Sequence, residues 1–273
     1  LGEPFNPGKH NPYISYQFNR WFDYVPAMDQ KEDIFNAFKE IFDKRGSILN
    51  RYRRMIADHH GKPSVKHYLK FAGLALLRNR VLIKDPIALR SAGWLADNFD
   101  MNVICTIRHP LRFVSSLKQW DMEFDFNHLL NDGVLTDVRL QPYEDKIHHF
   151  AANRQDIISQ ACLLWNVLNH LIRHYKETRP EWYFIRFEDI SKEPITYFRK
   201  FYEFVNLNCD TNIEKKIKAH TLKSKRKNAV KSFSARNSKK NLDTWQQRLN
   251  NKEVNKILVS CKDLITYFYP EQQ

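Results

Sequence analysis

The stretch "TIRHPLRFVSSL", Thr106 to Leu117, decides the fold because it joins a strand pattern to a helix pattern through one short turn. It overlaps the apolar run "NVICTI" (Asn102–Ile107), which is typical of a buried β-strand. Arg108 follows at once, and Pro110 suits the first turn of a helix. A permanent cation therefore lies where a strand meets a helix N-terminus, whose free N–H groups also attract anions.

Two further strand patterns, "RVLIK" (Arg80–Lys84) and "WYFIRF" (Trp182–Phe187), lie on either side of this stretch. Helical patterns surround the three strands, at Glu32–Asp43, Lys66–Arg78, Ala88–Asn98, Gln155–Lys176 and Pro194–Val205. Strands that alternate with helices predict an α/β fold with a parallel sheet and crossover helices. We find no internal repeat and no clear shift in composition, and therefore expect one domain over residues 1–273.

The composition narrows the function classes. A formal net charge of +13 on 273 residues implies an anionic partner, such as nucleic acid, a membrane surface or a phosphorylated or sulfated small molecule. Only 7 glycines are present, and neither GxGxxG nor GxxxxGK[ST] occurs. The cysteines form no CxxC pair and the histidines have no metal-ligand spacing, so we predict no metal site. The scattered cysteines favour a reducing, cytoplasmic location, and no stretch approaches the roughly 18 apolar residues of a membrane span.

Three cations follow or end the predicted strands: Lys84, Arg108 and Arg186. Ligands of open parallel sheets sit at the carboxyl ends of the strands, beside helix N-termini that favour anions. The three residues together therefore predict a phosphate site, although each of them taken singly is equally compatible with a solvated strand-end cation.

The spacing of "RHPLRFVSS" resembles the 3′-phosphate motif of sulfotransferases that use 3′-phosphoadenosine 5′-phosphosulfate (PAPS). In that motif an arginine at a strand end is followed eight residues later by a serine on the next helix, and Arg108 and Ser116 match these two positions. A guanidinium offers a planar fork to a dianion, and the hydroxyl adds one donor.

Other segments agree with this resemblance in the expected order. "IRFEDISKEP" (Ile185–Pro194) is similar to the family's strand whose final aromatic residue, here Phe187, lies by the adenine; core packing for Phe187 is equally compatible. "VLIKDP" (Val81–Pro86) resembles the Lys-Ser/Thr-Pro segment of carbohydrate sulfotransferases, whose lysine, here Lys84, faces the transferred group. Asp85 departs from the usual hydroxyl residue and is a second candidate for the catalytic base.

Two segments near the ends of the chain complete the resemblance. "SFSARNSKKNLDTW" (Ser232–Trp245) is similar to the family's basic loop over the 3′-phosphate, with Arg236, Ser238 and Lys239 as the candidate ligands; a solvated charge run would look the same. "LGEPFNP" (Leu1–Pro7) resembles a segment whose glutamate, here Glu3, takes the acceptor proton in some members. A surface glutamate in a turn is the simpler interpretation.

The resemblance, to bacterial and carbohydrate sulfotransferases, implies a P-loop-NTPase-like parallel sheet flanked by helices. It implies sulfuryl transfer from PAPS to a hydroxyl or amine of an acceptor such as a glycan, without metal and without a specific nucleic-acid partner. The family's first strand and its 5′-phosphosulfate loop have no counterpart in these residues. We expect them to precede Leu1, and we therefore expect residues 1–273 alone to be essentially inactive. Two alternatives stay open: a basic nucleic-acid-binding protein and an inactive nucleotide-binding remnant.

Overall fold

A computed structural model describes residues 3–8, 14–42, 80–222 and 240–272. The chain divides into two compact units, of which the first comprises Leu1–Met101 and Asn127–Val138 and the second Asn102–Phe126 and Arg139–Gln273. The expectation of a single domain stays a prediction. The described residues are mostly helical with a small parallel sheet, which is the α/β class in its broad sense.

The first unit contains two described helices, α1 (Lys31–Phe42) and α2 (Ala92–Phe99). Four residues of α1 are buried at helical spacing, at Ile34, Ala37, Phe38 and Ile41. This periodicity confirms the helix predicted at Glu32–Asp43 and gives it one apolar face for the core. The Phe5 ring, fully buried, stacks on Phe18 with 4.1 Å between centroids, so the segment around Glu3 is anchored to the same core.

The second unit is built on two parallel strands, β1 (Ile104–Ile107) and β2 (Tyr183–Arg186). Their register pairs Ile104 with Tyr183 and Ile107 with Arg186, so both strands end at the same edge. The remaining helices of this unit are α3 (Pro110–Gln119), α4 (Glu144–Ala152), α5 (Ile157–Thr178), α6 (Phe187–Lys192), α7 (Pro194–Phe204), α8 (Thr211–Leu222), α9 (Asn251–Ser260) and α10 (Lys262–Phe268). Short 3₁₀ helices of the two units lie at Val25–Ala27, Ile87–Ser91, Phe126–Leu129, Val138–Tyr143, Lys240–Gln247 and Pro270–Gln272.

Most predicted elements of the second unit are confirmed within a few residues, including both strands, α3 from Pro110, the long α5 and α7. The strand predicted at Arg80–Lys84, in the first unit, is wrong: this segment forms no strand, and Leu82 is 76% exposed. A β-branched apolar run needs a neighbouring strand to bury it, and no strand pairs with this one among the described residues. The predicted helix Ala88–Asn98 begins as a 3₁₀ turn and becomes α2, and Lys66–Arg78 lies outside the described residues.

None of the helices in the described part of the chain is both long and apolar enough to cross a membrane. The predicted cytoplasmic location stays a prediction.

Candidate functional site

The turn between β1 and α3 positions the first candidate residue, Arg108. His109 caps the N-terminus of α3 by accepting a hydrogen bond from the Leu111 N–H through its Nδ1 at 3.3 Å, and Pro110 occupies the first turn. From α5, the buried Trp165 donates its indole N–H to the Arg108 carbonyl at 2.8 Å. These contacts hold the backbone on both sides of Arg108. The Arg108 side chain therefore starts from a fixed position at the carboxyl end of β1.

The Arg108 guanidinium lies in a cluster of positive charge. It stands 5.4 Å from the centroid of the Phe187 ring, in cation–π contact. Burial lowers the pKa of Arg108, Glu188 opposes this change, and the neighbouring charges of Arg112 and Arg248 lower the pKa further. Arg112 pairs with Glu188, and Arg112 and Arg248 both add positive charge near Arg108, so this cluster would attract an anion.

Two guanidinium nitrogens of this cluster are buried without a hydrogen-bond partner among the described residues, Arg108 Nε and Arg112 Nη1. Buried N–H donors normally find an acceptor, and each one left unsatisfied costs about 1–3 kcal/mol. The arrangement can accept an oxyanion, because such a ligand supplies both acceptors and negative charge.

The Glu188 carboxylate contacts three residues around this cluster of arginines. Its Oε1 accepts from the His109 backbone N–H at 3.1 Å and forms an ion pair with Arg112 Nε at 3.2 Å, while its Oε2 accepts from the Tyr269 hydroxyl at 2.9 Å. It thus joins the turn after β1, the start of α6 and the C-terminal segment. Sequence reasoning gave Glu188 no role at the site; its position directly after a strand-end aromatic residue was the available signal.

Ser116 lies on α3, half-buried, four residues after Arg112. Residues four apart share one face of a helix, so the Ser116 hydroxyl is presented on the face that also carries Arg112. The neighbouring Ser115 is buried and returns its hydroxyl to the Arg112 carbonyl at 3.2 Å, which leaves Ser116 as the serine suited to a ligand.

Arg186 does not behave as the predicted phosphate ligand. It ends β2 as expected, but its Nε donates to Asp189 at 2.7 Å and its Nη1 is paired with Glu271. Its guanidinium also stacks 5.4 Å from the Tyr269 ring centroid. Lys84 lies on no strand, so two of the three predicted strand-end cations, Arg108 and Arg186, lie where a strand ends. Of these two, Arg108 has a buried nitrogen without a hydrogen-bond partner among the described residues.

In the first unit the structure brings together the three candidate catalytic residues. Lys84 Nζ lies 3.0 Å from Glu3 Oε1, and the Glu3 backbone N–H donates to the Lys84 carbonyl at 2.9 Å. Glu3 has φ of 47°, a left-handed conformation that costs a non-glycine residue about 1–2 kcal/mol. Strain of this kind persists only where surrounding contacts impose it, and it is common at functional sites.

Asp85 belongs to the same cluster but serves the backbone. Its two carboxylate oxygens accept from the Phe5 N–H at 2.7 Å and from the Ile87 N–H at 2.9 Å. Burial raises the pKa of Asp85, these backbone hydrogen bonds lower it, and the nearby charge of Glu3 raises it again. Both Asp85 oxygens bind backbone N–H groups, so Asp85 holds the backbone of residues 3–8, here called the Glu3 segment. The Glu3 carboxylate instead contacts a side-chain cation, Lys84.

Three of the predicted nucleotide ligands, Arg236, Ser238 and Lys239, lie outside the described residues. Within the described ranges, no group of three or more His, Cys, Asp or Glu side chains could hold a metal ion. Comparisons of the chain with protein-family models, with curated proteins and with solved structures return no match.

Proposed function

We propose that the chain is a PAPS-dependent sulfotransferase with a P-loop-NTPase-like fold, which transfers a sulfuryl group to a hydroxyl or amine of an acceptor. A glycan is the first acceptor class to test, because a basic protein surface favours acidic polymers. The sequence resemblance supports this proposal, and so does the geometry at two places, the turn after β1 and the Glu3 segment.

The observation that carries the proposal is Arg108 at the carboxyl end of β1, with a buried and unsatisfied Nε beside Arg112. In the proposed complex Arg108 and Ser116 hold the 3′-phosphate of the nucleotide. Phe187, already packed on the Arg108 guanidinium, flanks the adenine. Arg236, Ser238 and Lys239 are proposed as further phosphate ligands from the resemblance.

The proposed chemistry is a single in-line displacement. The acceptor oxygen or nitrogen forms a bond to sulfur as the bond between sulfur and the bridging phosphate oxygen breaks, releasing 3′,5′-adenosine diphosphate. The acceptor proton goes to Glu3, while the Lys84 ammonium offsets negative charge on the transferred group. Asp85 is the second candidate base.

The test is calorimetric titration of the chain with 3′,5′-adenosine diphosphate and, in parallel, with 5′-adenosine monophosphate, which lacks the 3′-phosphate. Arg108→Ala should weaken binding of the diphosphate by about 2 kcal/mol, because a charge-assisted contact to phosphate is lost. Binding of the monophosphate should change little. Ser116→Ala should lose about 1 kcal/mol for the diphosphate, since one neutral donor is removed.

Arg199→Ala is the matched control, because Arg199 is an exposed arginine paired with Glu214 at 2.5 Å. It should bind both nucleotides as the parent does. Equal diphosphate affinities of the parent and Arg108→Ala would overturn the assignment of the phosphate site. Sequence-selective DNA binding at physiological salt, without competition by nucleotide, would favour the nucleic-acid alternative. Nucleotide binding by the full-length protein without turnover of labelled PAPS would favour the inactive remnant.

A further inference from the structure

Asn6 contacts the proposed catalytic base through its side-chain amide. Its Nδ2 donates to Glu3 Oε2 at 3.0 Å, on the carboxylate oxygen opposite the one that Lys84 engages. Its backbone N–H also donates to the Glu3 carbonyl at 3.2 Å, closing a turn over residues 3–6. Asn6 is 5% exposed, so water does not readily replace its amide in these contacts.

The orientation of the Asn6 amide is fixed from its other end. Its Oδ1 accepts from the Gly8 N–H at 2.9 Å, the hydrogen bond of an Asx turn two residues on. The amide oxygen is thereby committed, and only its NH₂ group can face Glu3. An aspartate in this position would keep the turn acceptor but would place a second carboxylate against Glu3.

Contacts other than those of the Asn6 side chain hold the backbone of the Glu3 segment in place. The Phe5 N–H is bound by Asp85 and the Phe5 ring is buried in the core, so the backbone path does not depend on the Asn6 side chain. The Asn6 amide contacts Glu3 Oε2, whereas Lys84 contacts Oε1 from a side chain that is 70% exposed, so the buried Asn6 amide is the more rigid of these two contacts to the carboxylate.

We propose that Asn6 is a positioning residue for Glu3, whose amide N–H holds the carboxylate in the orientation in which it receives the acceptor proton. This inference rests on the proposed function. It adds a residue that local sequence patterns do not distinguish from an ordinary turn asparagine.

The test compares sulfuryl transfer by the full-length parent protein and by its Asn6→Asp, Asn6→Ala and Glu3→Gln variants, using PAPS and the acceptor that turns over fastest in a screen. Asn6→Asp should lower kcat by about 10- to 100-fold, because small errors in the placement of a reacting group have effects of that size. The KM for PAPS and the affinity for 3′,5′-adenosine diphosphate should be unchanged. In Asn6→Ala the acidic limb of the plot of kcat against pH should move to higher pH, because the Glu3 carboxylate loses a hydrogen-bond donor while Lys84 and Asp85 stay in place.

Asn98→Asp is the matched control, because the Asn98 amide donates to the Trp94 carbonyl at 2.8 Å on an exposed part of the same unit. It should retain parental kcat, and circular dichroism should show the same fold for every variant. Glu3→Gln should lose on the order of 10²-fold or more in kcat, and adding Asn6→Asp to it should cost nothing further.

The outcomes separate the two proposals. Parental kcat in Asn6→Asp together with an inactive Glu3→Gln would overturn the role of Asn6 and leave the sulfotransferase proposal standing. Full activity of Glu3→Gln, or no sulfuryl transfer by the full-length parent protein, would overturn the proposed function and the role of Asn6 with it. If Asn6→Asp fails to fold, Asn6→Ala gives the same comparison, and an unmoved pH profile with parental kcat would overturn the inference.

Discussion

Glu188 is a buried carboxylate whose two hydrogen bonds and one ion pair connect parts of the chain that are distant in sequence. It faces Arg112 directly and also supplies negative charge beside Arg108. Removing one partner of a buried charged pair is costly because the remaining charge has lost both water and its counter-ion. Glu188 therefore stabilises the fold around the candidate phosphate site whether or not a ligand is present.

We expect Glu188→Gln to lower the free energy of unfolding by about 3 kcal/mol, because Arg112 would stay buried without a counter-ion. Urea denaturation at neutral pH, monitored by circular dichroism, measures this change in the free energy of unfolding. Glu123→Gln is the control: Glu123 pairs with Arg154 at the surface at 2.6 Å, and such a pair contributes at most about 1 kcal/mol. Equal stability of Glu188→Gln and the parent would contradict the assigned role.

Arg108 and Arg186 show what residue-level sequence reasoning can and cannot predict. Both were predicted at strand ends, and both are there. Arg186 is engaged by Asp189, three residues further on, and by Glu271, which is 85 residues away, and no local pattern indicates the contact with Glu271. The sequence predicts where along a strand a cation lies. Whether that cation can still bind a ligand also depends on partners that are distant in the sequence.

At the scale of elements, α5 begins at a well-defined cap. The Asp156 carboxylate accepts from the Ser159 backbone N–H at 3.1 Å and from its hydroxyl at 2.6 Å, and Lys256 of α9 approaches it at 2.9 Å. Partial burial acts to raise the pKa of Asp156, but the contacts with Ser159 and Lys256 outweigh it and bring the pKa to about 2.

We expect Asp156→Ala to destabilise the protein by about 1 kcal/mol at neutral pH through the lost cap. A carboxyl whose pKa is lower in the folded state than its ordinary 3.8 adds stability above that value and loses it as the pH falls toward about 2. Asp156→Asn keeps a capping oxygen without the charge. The free energy of unfolding of this variant should therefore change less with pH between 3.8 and about 2 than that of the parent. Because Asp156 is half exposed, solvent screening keeps the effect small.

Denaturant titrations at pH 7 and pH 2.5 check both variants. Asp145→Ala, at an exposed position in the first turn of α4, is the control and should change stability by less than about 0.5 kcal/mol. An Asp156→Asn protein that kept the parental loss of stability between the two pH values would contradict this account of the cap.

The elements also show why part of the fold could be predicted. β1 and β2 are apolar runs that end in arginine or just before it, and a long helix between them implies a parallel pair, which the structure confirms. "RVLIK" (Arg80–Lys84) has the same composition but is not a strand, because strand formation depends on a partner that composition does not specify. The contact of Lys84 with Glu3, 81 residues apart, likewise follows from tertiary structure, and only the resemblance suggested that the two residues share a site.

At the scale of the whole molecule, the four cysteines differ in accessibility. Cys105, Cys162 and Cys261 are buried, whereas Cys209 is partly exposed. Burial raises the pKa of the Cys105 thiol to about 12, so its reactive thiolate is scarce at neutral pH.

We therefore expect iodoacetamide to modify Cys209 first in the native protein, and the other three only as the fold opens. Peptide mass spectrometry over a time course measures the order, and the same reaction in denaturant, where all four should react at similar rates, is the control. Early modification of Cys105 would contradict the burial of β1.

Trp165 gives the molecule an optical property that follows from its contact with Arg108. An indole that is 1% exposed and donates its N–H to the carbonyl of the proposed ligand-binding residue has an emission spectrum that depends on the electric field at that point. An oxyanion arriving beside the guanidinium changes this field without any large movement of the backbone. In a variant that keeps Trp165 alone of the 6 tryptophans, we expect ligand arrival at the proposed phosphate site to change the emission in real time without an attached label.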